Sequence, residues 1–352
     1  IDSINIKEIT KKQEYKNFEI IQSSSSKNKS TIISADIAIC EDCIADINDS
    51  FNHRYNYSLT NCTNCGPRYS IIQTVPYDRC NTSMRSFNLC PKCKEEYENP
   101  LDRRYHAQPV SCEVCGPNIT MYNKNNTILY NNIEAIEKTA LMIKEGYVIA
   151  VKGLGGFHLI CDATNDNVVN TLRINKNRPL KPYALLFKDI NSIKDYTIVN
   201  LKEEEILTSK EKPIVLLDSK NNSILSKYIA PNVNKLGCFI AYTGIHHMLF
   251  RYLKTPIIAT SANLKDEPII RGKEEIFEKL SGVVDFVLDY NRDIINTCDD
   301  SVIQVVKNYN IKLRNARAYA PTPIKLDKKI EKKILSLGAN QKSTISLAFE
   351  NN

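Results

Sequence analysis

The chain has 352 residues, of which 42% are hydrophobic and 25% charged, and its formal net charge at pH 7 is +7. This balance is typical of a folded globular protein and excludes disorder throughout the chain. The sequence contains neither an apolar run long enough for a membrane span nor a recognisable signal peptide. We therefore predict a cytoplasmic protein with no membrane partner.

The amino-terminal residues predict short strands at positions 4–9 and 18–21, which are too small to bury a core of their own. A polar, serine-rich stretch at 23–30 is typical of a linker. It leads into a cysteine-rich region of about residues 35–122.

Eight of the twelve cysteines form four Cys-x2-Cys pairs, and each cysteine of the first unit recurs 50 residues later in the second. The eight are Cys40, Cys43, Cys62, Cys65, Cys90, Cys93, Cys112 and Cys115. Two such pairs supply the four thiolates of a closed, structural zinc site. We predict two structural Zn²⁺ sites. We favour closure of each site within its own unit, although exchange of pairs between units also fits the spacing.

From residue 133 the pattern changes to an amphipathic helix that ends at Gly146, followed by an apolar strand at 147–151. Further strands are predicted at 183–187, 214–217, 257–260 and 284–288, with helices at 203–208 and 273–280. We predict an α/β domain with a mixed, twisted sheet that lasts to about residue 323. A charged connector and a hairpin at 334–349 then resemble the opening of another domain, so we expect a fragment of a larger protein.

A glycine-rich segment follows the strand at 147–151. Its residues of interest are Lys152, Gly153, Gly155, Gly156 and His158. Glycines after a strand let backbone amides approach an anion closely. A plain tight turn, with His158 as a buried structural histidine, explains the same residues.

Two further segments offer groups for a nucleotide. Four cations lie within nine residues, at Arg173, Lys176, Arg178 and Lys181, and converging cations bind polyphosphates. Ser261 and Asn263 follow an apolar strand, where α/β proteins commonly bind ligands. A solvated helix end and an ordinary capped turn are the alternative interpretations.

Two late clusters complete the set of candidates. The carboxylates of Asp299 and Asp300, beside Ser301, suit magnesium or a substrate amine. Arg314 and Arg317 would share a face if a helical turn holds them, and would then clamp a phosphate or carboxylate. Turn residues and surface ion pairs are the alternatives.

Taken in this order, these residues resemble the HypF family of hydrogenase maturation carbamoyltransferases. The doubled cysteine unit, with segments 61–68 and 102–109, looks like that family's zinc region. The Lys176/Arg178 and Ser261/Asn263 pairs look like motifs of YrdC-type threonylcarbamoyl-adenylate synthases, to which the family's nucleotide-binding domain is similar. The resemblance implies four parts: the end of an acylphosphatase-like domain with a linker (1–34), a duplicated four-cysteine zinc-finger region (35–122), a YrdC-like domain (128–323), and the start of a carboxy-terminal transferase domain (324–352).

The resemblance also implies an enzyme. In it, carbamoyl phosphate yields carbamate, ATP with Mg²⁺ converts carbamate to carbamoyl-adenylate, and the carbamoyl group passes to the carboxy-terminal cysteine of a HypE-like acceptor protein. It assigns catalysis to Lys152, Arg173, Lys176 and Arg178. It assigns nucleotide or carbamoyl-adenylate binding to Gly153, Gly155, Gly156, His158, Lys181, Tyr242, Thr243, Ser261, Asn263, Asp299, Asp300, Ser301, Arg314 and Arg317.

Departures from the family pattern and two rival functions remain. Thr297 and Gln304 stand where the family usually has arginine, which predicts weaker phosphate binding. One rival is a synthase that acts on threonine, against which the zinc duplication argues. The other is a zinc-ribbon module for nucleic acid, supported only by tyrosines near arginines in the cysteine-rich region. We expect no nucleic-acid partner.

Overall fold

The computed structural model describes residues 33–220, 224–338 and 345–350. The strands and linker predicted at residues 4–30 lie outside these ranges, as does the turn of the predicted carboxy-terminal hairpin. Across the described ranges, the helices lack the length and apolar character that crossing a bilayer requires.

Eight helices and fourteen strands form within the described residues. The helices are α1 Glu41–Asn48, α2 Pro91–Glu98, α3 Asn132–Lys144, α4 Asp166–Asn175, α5 Ile190–Tyr196, α6 Leu201–Thr208, α7 Gly244–Leu249 and α8 Lys273–Lys279. The strands are β1 Ile119–Asn123, β2 Ile128–Asn131, β3 Ile149–Lys152, β4 Phe157–Asp162, β5 Ala184–Phe187, β6 Thr197–Ile198, β7 Ile214–Ser219, β8 Lys235–Ile240, β9 Ile257–Ser261, β10 Phe286–Tyr290, β11 Val302–Val306, β12 Tyr309–Arg314, β13 Ile330–Leu337 and β14 Ile345–Glu350.

The central sheet has twelve strands in the order β12-β11-β7-β8-β5-β9-β4-β3-β10-β1-β2, with β6 paired to β7. Three pairs are parallel (β3 with β10, β5 with β8, β7 with β11) and the others are antiparallel. The predicted mixed α/β sheet is therefore confirmed. Strands β13 and β14 pair with each other in a separate two-stranded sheet.

Alternation along the central strands divides the core between the two faces of the sheet. In β3, Ile149 and Val151 join one hydrophobic cluster, whereas Ala150 joins the other. Helices α3 and α7 and the first cysteine unit contribute to the first cluster. Helices α4, α5, α6 and α8 contribute to the second. The cysteine-rich region thus shares a core with the sheet rather than standing apart from it.

Local sequence explains several helix starts. The Asn200 side chain accepts hydrogen bonds from the amides of Lys202 and Glu203, while the Glu203 side chain accepts one from the Asn200 amide. This capping box fixes the start of α6 without help from distant residues. Helix α5 begins in the same way, with Asp189 and Ser192 as the reciprocal pair.

The first cysteine unit packs closely against α7. Gly244 begins α7 directly beneath the carbonyl of Ser58, and an added Cβ atom would lie 2.0 Å from that oxygen. Arg251 donates hydrogen bonds to the Ile47 carbonyl and to the side chain of Asn48 at the end of α1. These contacts hold the cysteine-rich region against the first face of the sheet.

Candidate functional site

The first cysteine unit closes a four-sulfur cluster on its own. The Sγ–Sγ distance is 3.6 Å between Cys40 and Cys62, 3.8 Å between Cys62 and Cys65, and 3.7 Å between Cys65 and Cys43. Four sulfurs at the Zn–S distance of about 2.3 Å form a tetrahedron with edges of about 3.8 Å. The cluster therefore fits zinc.

The second unit repeats this geometry. Cys112 Sγ lies 3.7 Å from Cys90 Sγ and 3.8 Å from Cys115 Sγ, and Cys93 completes the group of four. The predicted closure of each site within its own unit is confirmed. Because all four positions are filled by thiols, neither cluster leaves a place for a substrate, and both sites are structural.

A cleft of about 690 Å³ opens between the loop after α4, the loop after β9 and the end of β12. We call it the basic cleft. Six predicted site residues line it: Lys176, Arg178, Lys181, Ser261, Asn263 and Arg314. The structure therefore brings together four cations from two separate segments with one hydroxyl and one amide side chain from a third.

Backbone geometry places Lys176 and Ser261 against each other. Helix α4 ends before Lys176, and Asn177 then adopts a left-handed φ of 47°, which turns the chain into the cleft. Lys176 Nζ donates to the carbonyls of Ser261 at 2.9 Å and Asn263 at 2.6 Å. Ser261 Oγ lies 2.8 Å from Asn263 Oδ1, so the three side chains form one linked group.

The charged form of Arg178 in the basic cleft is disfavoured by its surroundings. Burial, together with the neighbouring Arg173 and Arg314, lowers the pKa of Arg178 to about 10, against an opposing effect of Tyr183. The Arg178 guanidinium also donates to the carbonyl of Pro182 at 2.6 Å. A site that holds a desolvated cation beside other cations is well suited to a polyanionic ligand.

Arg173 lies outside the basic cleft. Its guanidinium donates to the carbonyls of Tyr228, Arg178 and Ile229, and stacks 4.5 Å from the centre of the Tyr183 ring. Only 5% of the residue is exposed. Arg173 therefore holds the loop in place, and a direct catalytic contact does not fit its position.

A second cavity, of about 30 Å³, lies between the cysteine-rich region and the sheet. We call it the interface cavity. Four predicted site residues line it: Lys152, Gly153, Tyr242 and Thr243. Lys152 Nζ lies 2.9 Å from Asp289 Oδ1 and donates to the Tyr290 carbonyl at 2.8 Å. Its charge is therefore already paired.

Arg292, which the sequence analysis missed, also lines the interface cavity. The residue is 3% exposed, its Nε has no hydrogen-bond partner, Nη2 lies 3.5 Å from the Tyr290 hydroxyl, and the guanidinium lies 5.0 Å from the centre of the Tyr290 ring. A buried guanidinium with so few partners is unusual, because burial of an unpaired charge is costly. No local signal in the sequence points to Arg292, because it stands outside every motif and meets the cavity only in the folded chain.

Arg317 and Asp300 belong to a buried network instead of the basic cleft. Arg317 Nε donates to Asp300 Oδ1 at 2.6 Å, and His158 Nε2 lies 3.1 Å from Asp300 Oδ2. The Arg317 guanidinium lies 3.8 Å from the centre of the Tyr242 ring, and the Ser301 hydroxyl donates to the Arg317 carbonyl. The network adjoins the cleft, because His158 pairs with Ser261 in the register of β4 and β9.

The shared helical face expected for Arg314 and Arg317 is wrong. Arg314 is the last residue of β12, and Arg317 lies in the turn that follows. Arg314 reaches the basic cleft, whereas Arg317 is 1% exposed and donates to the Lys212 carbonyl inside the fold. The backbone leaves the strand between them, so the two side chains point into different environments.

The glycine-rich segment forms the turn of a hairpin between β3 and β4. The sequence analysis did not predict β4. The Gly153 amide donates to the Gly156 carbonyl at 2.9 Å. An added Cβ atom at Gly155 would lie 2.2 Å from the Cys298 carbonyl oxygen. Gly155 is therefore needed for close packing of two backbones. The neighbouring Asp299 uses its carbonyl to accept the Arg317 amide.

Comparisons with known proteins agree with this architecture. Residues 141–316, half of the chain, match the Sua5/YciO/YrdC family, described as "Telomere recombination". Residues 39–72 and 89–122 each match the HypF finger. The chain belongs to the Sua5/YciO/YrdC family and carries both units of the HypF finger. The resemblance inferred from the cysteine units and the paired motifs is confirmed.

Relatives of this HypF-family chain align along nearly all of it. It is 44% identical to carbamoyltransferase HypF of Synechocystis sp. over 96% of the chain, and 42% identical to the probable carbamoyltransferase HypF of Methanocaldococcus jannaschii over 98%. The crystal structure of HypF from T. kodakarensis superposes with a TM-score of 0.84 at 40% identity, over 92% of this chain and 43% of that one. A full-length HypF structure in a phosphate- and nucleotide-bound form gives 0.83 at 40% identity, over 90% of this chain and 42% of that one.

The HypF-family chain spans less than half the length of these relatives. It covers 44% of the Synechocystis protein and 45% of the Methanocaldococcus protein. The matched part contains both finger units and the Sua5/YciO/YrdC region. Similarity therefore extends over the cysteine clusters, the basic cleft and the interface cavity.

Proposed function

We propose that this chain contains the part of a carbamoyltransferase that forms carbamoyl-adenylate from ATP and carbamate. The observation that carries the proposal is the basic cleft, in which Lys176, Arg178, Lys181 and Arg314 surround Ser261 and Asn263. A related HypF has been crystallised in a phosphate- and nucleotide-bound form, which supports nucleotide binding by this chain.

The basic cleft suits the triphosphate of ATP in size and in charge. A volume of about 690 Å³ falls in the range of small-molecule sites. Attack of a carbamate oxygen on the α-phosphorus forms one P–O bond and releases pyrophosphate, which takes the electrons of the bond that breaks. Negative charge develops on the oxygens of the phosphoryl group in transfer, where cations such as Lys176 and Arg178 stabilise the transition state.

The carbamate end of the reaction is assigned to the interface cavity. Lys152 and Arg292 line that cavity, and Arg292 retains a hydrogen-bond donor without a partner. A planar guanidinium binds a planar carbamate through parallel hydrogen bonds. Because the surroundings of both cations are buried, the same region would shield a labile mixed anhydride from water.

Magnesium would accompany ATP as part of the substrate. Asp300 does not suit the metal, because one oxygen accepts from Arg317 and the other lies 3.1 Å from His158 Nε2. The remaining steps are also proposals: supply of carbamate from carbamoyl phosphate, and transfer of the carbamoyl group to the carboxy-terminal cysteine of a HypE-like acceptor. Their support is the similarity to carbamoyltransferases that are more than twice as long as this chain.

The test is pyrophosphate release from Mg-ATP by the zinc-loaded chain, with carbamoyl phosphate, bicarbonate plus ammonium, or threonine supplied separately. We expect release to depend on bicarbonate plus ammonium, which generate carbamate in solution. Lys176→Met should abolish release, while Lys254→Ala, which removes an exposed lysine outside the cleft, should not change it. Release that depends on threonine instead would contradict the proposal and favour a threonylcarbamoyl-adenylate synthase.

A further inference from the structure

Each cysteine unit forms its own four-sulfur cluster, but the arginines that contact each cluster come from the other unit. Positions 50 residues apart are equivalent in the duplication, so Cys43 corresponds to Cys93, and Arg54 to Arg104. The folded chain preserves this equivalence in detail. Arg54 Nε donates to the carbonyl of Ser111, and Arg104 Nε donates to the carbonyl of Asn61, the residue equivalent to Ser111. The two units are therefore related by a pseudo-twofold arrangement.

The cluster of the first unit is contacted by cations of the second. Arg103 Nη1 donates to Cys43 Sγ at 3.1 Å, and Arg104 Nη2 lies 3.9 Å from the same sulfur. Both guanidinium groups also bond the carboxylate of Asp46, which stands one helical turn after Cys43 on α1. Among the described residues, no cation of the first unit contacts this sulfur.

The cluster of the second unit is contacted in the same way by the first. Arg54 Nη2 donates to Cys93 Sγ at 3.2 Å and forms a 2.5 Å ion pair with Glu96, the residue equivalent to Asp46. His53, the equivalent of Arg103, lies 4.0 Å from Cys93 Sγ and 3.8 Å from Glu96. Arg104 also comes within 3.7 Å of Glu96, which joins the two halves into one ionic cluster.

The charge of a zinc–thiolate site explains why arginines from the opposite unit would stabilise it. A Zn²⁺ ion with four thiolates carries a net negative charge, and N–H donors to its sulfurs stabilise the bound thiolates. Arg54 is 0% exposed and Arg104 is 4% exposed, so both cations are desolvated and depend on the thiolates and carboxylates around them. Loss of either metal would leave buried arginines of the other unit without part of their counter-charge.

We infer that each unit supplies the outer shell of the other unit's metal site, so that the two zinc ions are bound as one coupled pair. Arg54 and Arg104 are positioning residues for the metal of the opposite unit. The coupling is also unequal. The first cluster has two arginines, at 3.1 and 3.9 Å from Cys43 Sγ, whereas the second has one arginine at 3.2 Å and a histidine at 4.0 Å from Cys93 Sγ. Because arginine is always charged and histidine is charged only when protonated, the second cluster should release its metal first.

The test uses the zinc-loaded chain and maps which cysteines become reactive. A chelator challenge in the presence of an alkylating agent, followed by peptide mass spectrometry, reports each cluster separately. Arg54→Lys should weaken zinc binding about 10- to 100-fold and expose the cysteines of the second unit. Arg104→Lys should expose those of the first. Arg85→Ala, an exposed arginine between the two units, is the matched control and should label as the wild type does.

Two further variants separate the inference from simple misfolding. His53→Arg should slow labelling of the second unit, an improvement that a folding defect cannot produce. Removal of the first site with Cys62→Ser and Cys65→Ser should accelerate zinc loss from the second. The inference would be overturned if Arg54→Lys increased labelling only in the first unit, which contains Arg54. It would also be overturned if removal of the first site left the rate of zinc loss from the second site unchanged.

Discussion

The Arg317 guanidinium lies 2.6 Å from Asp300 Oδ1 in the interior of the fold, close to the basic cleft but not part of it. Burial alone would raise the pKa of Asp300, but the Arg317 charge, together with His158, holds that pKa well below its usual range. The Arg317–Asp300 pair therefore stabilises the interior of the fold next to the basic cleft.

Arg317→Ala should destabilise the chain by about 3–5 kcal/mol, because it leaves the Asp300 carboxylate buried and unpaired. Denaturant unfolding monitored by circular dichroism measures this loss. The double variant Arg317→Met with Asp300→Leu should recover most of it, since neither charge then remains. A single variant as stable as the wild type would contradict a buried ion pair.

Arg314→Ala should leave the stability within about 0.5 kcal/mol and weaken ATP binding about 10- to 100-fold, because Arg314 lines the basic cleft from the edge strand. Isothermal titration calorimetry gives the affinity. Lys312→Ala is the matched control, since Lys312 is an exposed cation on the same strand but does not line the cleft. Equal losses in both variants would point to general charge attraction.

Arg292→Met should stabilise the chain and reduce carbamate-dependent pyrophosphate release. The methionine removes a buried cation that has an unpaired Nε donor, which relieves a folding cost. It also removes the group assigned to the carbamate. Thermal unfolding should therefore shift upward, while the affinity for ATP alone should not change. A lower melting temperature would instead make Arg292 a structural residue.

The free energy of unfolding should fall as the pH drops from about 6.5 to about 4. Burial, together with the nearby Lys212, lowers the pKa of His247 to about 4. Since the folded pKa lies below the unfolded one, the unfolded chain binds the proton first, and His247 contributes stability that is lost on acidification.

His247→Gln should flatten this pH dependence by about 1–3 kcal/mol relative to the wild type. Denaturant unfolding at several pH values, with zinc content checked at each, measures the difference. Comparing the two chains at the same pH removes the contribution of thiolate protonation. Parallel curves for the two proteins would show that His247 titrates alike in both states.

Gly244→Ala should destabilise the chain by about 1–3 kcal/mol, because the new methyl group would lie 2.0 Å from the Ser58 carbonyl oxygen. The overlap falls where α7 meets the first cysteine unit. Limited proteolysis should therefore cut that unit faster. Gly282→Ala is the matched control, since no atom lies within 4 Å of its added Cβ atom.

Among the described residues, sequence alone located five of the twelve strands of the central sheet and three of the six helices from α3 to α8. The helix predicted from residue 133 forms as α3, and the strands predicted at 183–187 and 257–260 form as β5 and β9. These segments carry apolar residues at the spacing that their buried faces require. Strand β4 was missed because the glycines before it and the polar His158 within it interrupt the apolar pattern, although His158 is buried by its neighbours.

Sequence by itself determined the two four-cysteine clusters and the run of cations at 176–181, because each set consists of closely spaced residues such as Cys40 and Cys43, or Lys176 and Arg178. Folding then brought Arg314 to those cations to form the basic cleft. Only the tertiary structure decided what each arginine does. Arg317 bonds the carbonyl of Lys212, 105 residues away, and Arg54 reaches a sulfur of the other unit. Local spacing sets which residues are neighbours along the chain, whereas burial and counter-charge come from segments that meet only when the chain folds.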